Sequence, residues 1–373
     1  MLFSEIIGLE DIKTALTGSV KRSHVAHAQL FVGNEGSANL ALALAYAQFI
    51  NCEDRSEIDS CGQCTSCTQY KKLVHPDLHF MFPMTSLEKV HKDDLKALLL
   101  KQYRQFALEQ TYGSIQEWGS FVGAENKQFN IPVEEGRNLM QHISLKPYQS
   151  DYKIILIWLP EFMHISTANA ILKVLEEPTD KTVFLLVSTD YEKLLTTIIS
   201  RCQLTNVRAF SDEETKIFLI KKGVADDKTA ARISKIAEGN LNRALMLAED
   251  SEDDNHALFA NWMRLCFSRK YAELLQFSDE VSKKGRENQK NLLIYSLQII
   301  RDALMNKLNI AELIRQEEDE LKFIQNFSKA VDENYVERLY FELNETYRHI
   351  ERNGNAKIIF FDTSVRIGKL FQR

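Results

Sequence analysis

Two groups of residues in this chain have the types and spacing from which chemistry can be built. One is a glycine-bearing loop starting at Gly33; the other is a set of four cysteines between Cys52 and Cys67. Gln29-Leu30-Phe31-Val32 reads as a short buried strand. Gly33-Asn34-Glu35-Gly36-Ser37-Ala38-Asn39-Leu40 follows it, and Ala41-Leu42-Ala43-Leu44-Ala45 is helix-prone. Strand, loop and helix in this order form the layout of a Walker A phosphate loop, whose template is G-x-x-x-x-G-K-[ST]. Gly33 fills the first position, but Ala38, Asn39 and Leu40 stand where Gly, Lys and Ser/Thr belong. Asn39 offers no charge to a phosphate and Leu40 no hydroxyl to Mg²⁺. A charge-assisted hydrogen bond contributes roughly 1.5–3 kcal/mol, so loss of the lysine alone implies roughly 10- to 150-fold weaker binding. Taken alone, the loop with Gly36 at its centre is either the relic of a nucleotide site or was never one.

The cysteines are spaced C-x8-C-x2-C-x2-C, as Cys52, Cys61, Cys64 and Cys67. In a reducing compartment a disulfide framework is not expected. Four thiolates on a short polar segment suit tetrahedral Zn²⁺, and with every position filled by protein the ion would be structural. Iron–sulfur clusters use other spacings. Cys202 and Cys266 stand apart and read as core residues.

The elements that must position these groups follow from periodicity. Lys153-Ile154-Ile155-Leu156-Ile157-Trp158 and Thr182-Val183-Phe184-Leu185-Leu186-Val187-Ser188 are apolar runs of strand length, suited to burial on both faces of a parallel sheet. The first ends in Trp158-Leu159-Pro160-Glu161, where an ATPase would place acidic residues to hold Mg²⁺. Trp158 reads as core, and Glu161 is displaced from the strand end. Ser166 to Pro178 reads as a helix, with Ser166 as N-cap, Ile171, Leu172 and Leu175 as its apolar stripe and Pro178 as its stop. A further helical segment leads to Ser200-Arg201-Cys202. The alternation implies α/β architecture, a parallel sheet flanked by helices.

At 373 residues with 45% hydrophobic and 26% charged residues, the chain is long enough for two or three domains of ordinary globular composition. A net charge of −6 argues against coating nucleic acid through bulk charge. No signal peptide or membrane span is read, so a cytoplasmic location is expected. Residues 81–129 read as an insertion, whose Leu87–Glu109 part has helical period and balanced charge, the pattern of a solvated helix. Trp118 and Phe121 are expected in a glycine-bearing loop packing back on the core. The acidic run Glu249-Asp250-Ser251-Glu252-Asp253-Asp254-Asn255 marks a domain boundary, and from residue 256 the chain reads as all helix.

The order of these signals resembles the clamp-loader branch of the AAA+ ATPases, and within it the delta-prime family of bacterial DNA polymerase III. The resemblance rests on the degraded Walker A loop, the cysteine module after it, Ala168-Asn169-Ala170-Ile171-Leu172-Lys173-Val174-Leu175-Glu176-Glu177-Pro178, and Ser200-Arg201-Cys202. Phe3-Ser4-Glu5-Ile6-Ile7-Gly8, His75-Pro76-Asp77 and Glu238-Gly239-Asn240-Leu241-Asn242-Arg243-Ala244 add to it. It is specific over residues 1–80 and 130–245 and weak over 255–373. It implies an AAA+ P-loop-type domain over 1–208 with a zinc module at 52–67, a small helical lid over 209–250 and a helical collar over 256–373. It further implies a non-ATPase subunit that binds no ATP and presents Arg201, set between Ser200 and Cys202, as an arginine finger to a neighbour. The implied partners are gamma/tau-type ATPase and delta-type subunits in a hetero-pentamer within the polymerase III holoenzyme, the sliding clamp, and primed DNA. Two rivals differ in class: a motor ATPase with an atypical loop, and a zinc-bearing nucleic-acid-binding module without such partners.

Overall fold

Five short runs become the strands of one parallel sheet in the computed structural model, which describes residues 1–87, 90–125, 127–143, 145–177, 179–249, 252–308, 310, 318–330, 333–352 and 354–370. They are β1 (Ala28–Val32), β2 (Leu78–Met81), β3 (Lys153–Trp158), β4 (Thr182–Ser188) and β5 (Gln203–Asn206), in the spatial order β2-β3-β4-β1-β5. Every neighbouring pair is parallel, with Leu30 opposite both Leu186 and Leu204, and Ile155 opposite Phe184. All residues of β3 and β4 are buried, which explains why both are continuous apolar runs rather than alternating ones. Parallel neighbours cannot be joined by tight turns, so the connections carry helices. These are α2 (Asn39–Ile50), α3 (Thr65–Lys71), α4 (Lys92–Glu109), α5 (Ile115–Phe121), α6 (Val133–Ile143), α7 (Ile165–Glu176) and α8 (Thr196–Ile199), and α1 (Glu10–Lys21) precedes β1. Every residue of α2 is buried, as expected of a helix apolar on all sides; its alanines let it lie close to β1 and β4.

The chain divides into two units, Met1–Phe218 with Glu238–Arg243, and Leu219–Ala237 with Ala244–Arg373. The remaining helices are α9 (Asp212–Lys222), α10 (Asp227–Ala237), α11 (Leu241–Glu249), α12 (Glu252–Ser268), α13 (Tyr271–Lys283), α14 (Arg286–Lys307), α15 (Glu318–Ala330), α16 (Glu333–Glu351) and α17 (Ala356–Leu370). From residue 256 onward the regular structure among the described residues is helical. The core of the second unit centres on Trp262, stacked on Phe277 at 5.6 Å and tilted on Phe360 at 5.4 Å. The Trp262 ring N–H donates to Ser364 Oγ at 2.8 Å, so the indole is buried without an orphaned donor.

Several expectations need correction. Helix α7 begins at Ile165, and His164 rather than Ser166 caps it, its Nδ1 accepting the Ser166 N–H at 3.2 Å. Pro178, and Asp250 and Ser251 of the acidic run, lie outside the described residues. The solvated-helix reading of Leu87–Glu109 fails on one face: Leu99, Tyr103, Phe106 and Ala107 of α4 are buried, at spacings that share a helix face. Trp118 lies in α5, not in a loop, and is fully buried as expected. Capping by Ser114 and Glu117 sets that helix, the Ser114 N–H donating to Glu117 Oε2 at 2.8 Å.

The insertion thus joins the sheet through an aromatic spine. Phe82 stacks on Tyr103 at 4.2 Å, Trp118 meets both edge-on at 5.8 Å, and Trp158 at the end of β3 packs on Tyr103 at 5.5 Å and Phe106 at 5.6 Å. The Trp118 ring N–H donates to the Pro83 carbonyl at 2.9 Å. Replacement of Trp118 by alanine leaves a cavity and an unpaired carbonyl; it should cost about 3–5 kcal/mol, read from chemical denaturation followed by circular dichroism.

Candidate functional site

Ligands of open parallel sheets sit at the carboxyl ends of the strands, beside the point where strand order reverses. Here that place is the loop after β1, and its residues turn inward on the protein itself. Asn39, at the position of the Walker lysine, is buried; its Nδ2 donates to the Gly33 carbonyl at 2.8 Å and to the Ser188 carbonyl at 3.2 Å. Its Oδ1 accepts the Ser37 hydroxyl at 3.1 Å. One neutral amide therefore ties the start of the loop to the end of β4. Ala38 and Leu40 are also buried. Gly36 has a φ of +74°, and a Cβ there would lie 1.8 Å from Asn240 Oδ1. The Leu241 N–H donates to the Gly36 carbonyl at 3.0 Å, so the Asn240–Leu241 segment is laid on the crest of the loop.

A cavity of about 490 Å³ remains beside the loop, a size within the range of small-molecule sites. Gly36, Asn39, Tyr112, Trp158, Glu161 and Lys193 line parts of it. Trp158 fills the place where an acidic strand end would hold Mg²⁺. Glu161 accepts hydrogen bonds from Ser188 Oγ at 3.0 Å, from the Thr189 N–H at 2.9 Å and hydroxyl at 3.0 Å, and from the Asp190 N–H at 3.2 Å. Both its oxygens are used in holding the turn after β4. Lys193 is paired with Asp190 at 2.7 Å. The stretch Thr111–Ile115 also lines the cavity; it comes from the insertion, and no sequence signal pointed to it.

Arg201 lies just past α8, two-thirds buried, and is already paired within its own chain. Its Nη2 meets Glu176 Oε1 at 2.6 Å, and its Nη1 donates to the Thr197 carbonyl at 2.8 Å and to Ser200 Oγ at 3.4 Å. Glu176 closes α7, so the Leu-Glu-Glu and Ser-Arg-Cys segments meet in space although their sequence spacing gave no hint of it. Cys202 packs against the sheet core, and burial pushes its thiol up to about 11.

The four cysteines converge. Their Sγ atoms all lie within 4.8 Å of one another, with Cys52–Cys67 at 3.5 Å and Cys61–Cys67 at 3.9 Å. A tetrahedral zinc–thiolate shell with bonds near 2.3 Å has sulfur–sulfur edges of about 3.8 Å. Backbone N–H groups support the sulfurs: Cys61 N–H on Cys52, Cys64 N–H on Cys61 and Cys67 N–H on Cys64, each at 3.3 Å. Burial pushes the thiols of Cys67 and Cys52 up, whereas the Gln63 N–H helps to hold Cys61 down to about 7. Four sulfurs this close fit a divalent cation, which would neutralise the charge that ionisation brings. Asp77 of His75-Pro76-Asp77 accepts N–H bonds from Tyr148, Gln149 and Ser150 at 2.5, 2.8 and 2.9 Å. Burial would raise that carboxyl, but the three donors outweigh it and hold it below the usual range.

A five-stranded parallel sheet in this order, with a glycine loop leaving the strand between β4 and β5, defines a P-loop-type α/β protein of the AAA+ kind. A family model described as "DNA polymerase III, delta subunit" matches residues 8–211, more than half of the chain. The chain therefore belongs to that clamp-loader family. The DNA polymerase III subunit tau/gamma of Haemophilus influenzae is 26% identical over 258 residues, which cover 67% of this chain and 30% of the relative. The chain thus spans under a third of that relative's length. The subunit delta' of the same organism is 26% identical over 306 residues, covering 81% of this chain and 77% of its own. A gamma subunit-related protein of Thermotoga maritima aligns over 97% of this chain with 14% identity and a TM-score of 0.43.

Removing the amide of Asn39 takes a donor from the Gly33 carbonyl and leaves the Ser188 carbonyl with the Gly33 N–H at 3.4 Å. The Asn39→Ala variant should lose about 1–3 kcal/mol of stability and gain no Mg-ATP affinity, checked by denaturant unfolding and by isothermal titration with Mg-ATP.

Proposed function

We propose that this chain is a delta-prime-type, non-ATPase subunit of a DNA polymerase III clamp loader that helps place a sliding clamp on primed DNA. The observation that carries this reading is the side chain of Asn39, which occupies the lysine position and spends its hydrogen bonds on the protein's own carbonyls. Leu40 without a hydroxyl, Trp158 at the end of β3 and the saturated carboxylate of Glu161 support it. The motor-subunit alternative needs a cation on phosphate and an acidic ligand for Mg²⁺, and these positions offer neither. A stand-alone nucleic-acid-binding module is disfavoured by the net charge of −6.

In this reading the first 208 residues form the AAA+ domain, 209–250 a lid and 256–373 a collar that joins gamma/tau-type and delta-type subunits into a hetero-pentamer. Its work is done in the cytoplasm; among the described residues no helix is long and apolar enough to cross a membrane. Arg201 acts in trans. Its guanidinium is permanently charged and forks onto phosphate oxygens, and to reach a neighbour's ATP it leaves Glu176. A part-exposed ion pair contributes only about 0–1 kcal/mol, so a triphosphate displaces the carboxylate at little cost. Cys52, Cys61, Cys64 and Cys67 hold a structural Zn²⁺ that gives the small excursion after α2 its rigidity.

The finger is tested in an assembly reconstituted with gamma/tau-type and delta-type subunits, clamp and primed DNA. With Arg201→Ala, the one ATP site it serves should lose about 10³-fold or more in rate, so turnover falls to what the other sites supply. Light scattering checks that the assembly is intact; unchanged turnover in an intact assembly would sink the reading. For the metal, mass spectrometry of the purified chain should find one zinc per chain. Cys64→Ser or a strong chelator should remove it and lower the unfolding midpoint by about 5–10 °C.

A further inference from the structure

Away from the phosphate loop, the free edge of β2 faces α4 and α6 across a second, smaller cavity of about 120 Å³. Three charged side chains line it: Lys96 and Arg104 of α4 and Glu135 of α6. They do not balance. Lys96 Nζ is paired with Glu135 Oε1 at 2.8 Å, and the same carboxylate oxygen accepts from Asn138 Nδ2 at 3.3 Å. Glu135 is buried, and both contacts fall on its Oε1. Arg104 is left with a half-buried guanidinium whose Nε is shielded from solvent and makes no hydrogen bond among the described residues. Burial holds its pKa below the ordinary arginine value, with no carboxylate opposing the shift.

A half-buried cation without a partner is costly to the extent that it is desolvated, and proteins keep such groups paired or coordinated. Nothing in the packing of α4 demands arginine at this position: the face that fixes the helix is Leu99, Tyr103, Phe106 and Ala107. A guanidinium presents up to five donors in a planar fork matched to an oxyanion. Leu78, Met81, Leu139 and Ile155 also line the cavity, so a charge inside it lies against an apolar wall where a charge-assisted bond counts for more. Its volume admits one tetrahedral oxyanion with a water or two, not a whole nucleotide.

We propose that this cavity is an oxyanion site that takes a single phosphate group on Arg104, with Asn138 and Lys96 at its rim. It is separate from the phosphate loop after β1 and independent of the clamp-loader reading. The phosphate comes either free in solution or from a nucleic-acid strand end, and the chemistry of capture is the same for both.

The test uses the full chain, with thermal unfolding measured in inorganic phosphate against chloride at matched ionic strength. Binding should raise the midpoint saturably, by roughly 2–4 °C for each tenfold rise in phosphate above its dissociation constant. Arg104→Gln should weaken phosphate by about tenfold or more, while Arg104→Lys retains part of the effect. Circular dichroism of each variant without phosphate confirms the fold, and Arg104→Leu is expected to be at least as stable as the parent because it removes the unpaired charge. A 5′-phosphorylated oligonucleotide competing with phosphate in an Arg104-dependent way identifies a strand end as the source; no competition, with phosphate binding retained, identifies the free ion. A phosphate effect that is linear, or identical in Arg104→Gln, is general salting of the surface and overturns the proposal.

Discussion

The loop after β1 depends on the carboxamide of Asn39. In a nucleotide-binding protein the corresponding loop is organised around phosphate, and its conformation is coupled to whether ligand is present. Here the amide bonds to Gly33 and Ser188, so the loop, the start of α2 and the end of β4 are held by groups that never leave. Gly33 shows how closely this is built: a Cβ there would come within 2.4 Å of Asn39 Oδ1 and 2.5 Å of the Val207 carbonyl. The neighbourhood of the loop is part of the core.

The two strands with continuous apolar runs, β3 and β4, were legible to the residue, because each is an apolar run of strand length with β-branched residues in it. β2 and β5 were not. Each is only four residues long, and β5 has three exposed positions, so neither carries a pattern that a reader could separate from loop. In the insertion, Tyr103 and Phe106 sit among lysines, arginines and acids that dominate the composition of α4, and the buried face is visible only once Trp118 and Trp158 are seen against it. The cysteine cluster was legible because its chemistry is local in sequence. The partner of Arg201 was not, since Glu176 lies on another helix and one carboxylate among many has no mark. At Asn39 the sequence told what was missing; only the structure tells what the replacement does.

Taken together, the aromatic spine and the phosphate loop make one wall. Trp158 belongs to both: it ends β3, packs on Tyr103 and Phe106, and lines the larger cavity. An ATPase would reserve this corner for acidic groups, water and a metal. Here a large apolar side chain stands in that corner, and the insertion packs against it. The cavity beside the loop and the packing of the insertion share this residue.

The neck of the insertion has a mechanical consequence. Met84 and Asn130 exchange two backbone hydrogen bonds, at 2.8 and 3.0 Å, in an antiparallel bridge. The chain therefore leaves and re-enters the domain at nearly the same point, and the entropy of closing residues 85–129 is borne at that clasp rather than by β2 and α6. A force or fluctuation arising within the excursion meets the rest of the domain at the clasp and through side chains, among them Tyr103 on Trp158, Tyr112 on Phe210 and Lys96 on Glu135. The excursion is insulated along the backbone and coupled through side chains, like a handle bolted to a frame rather than a bend in it.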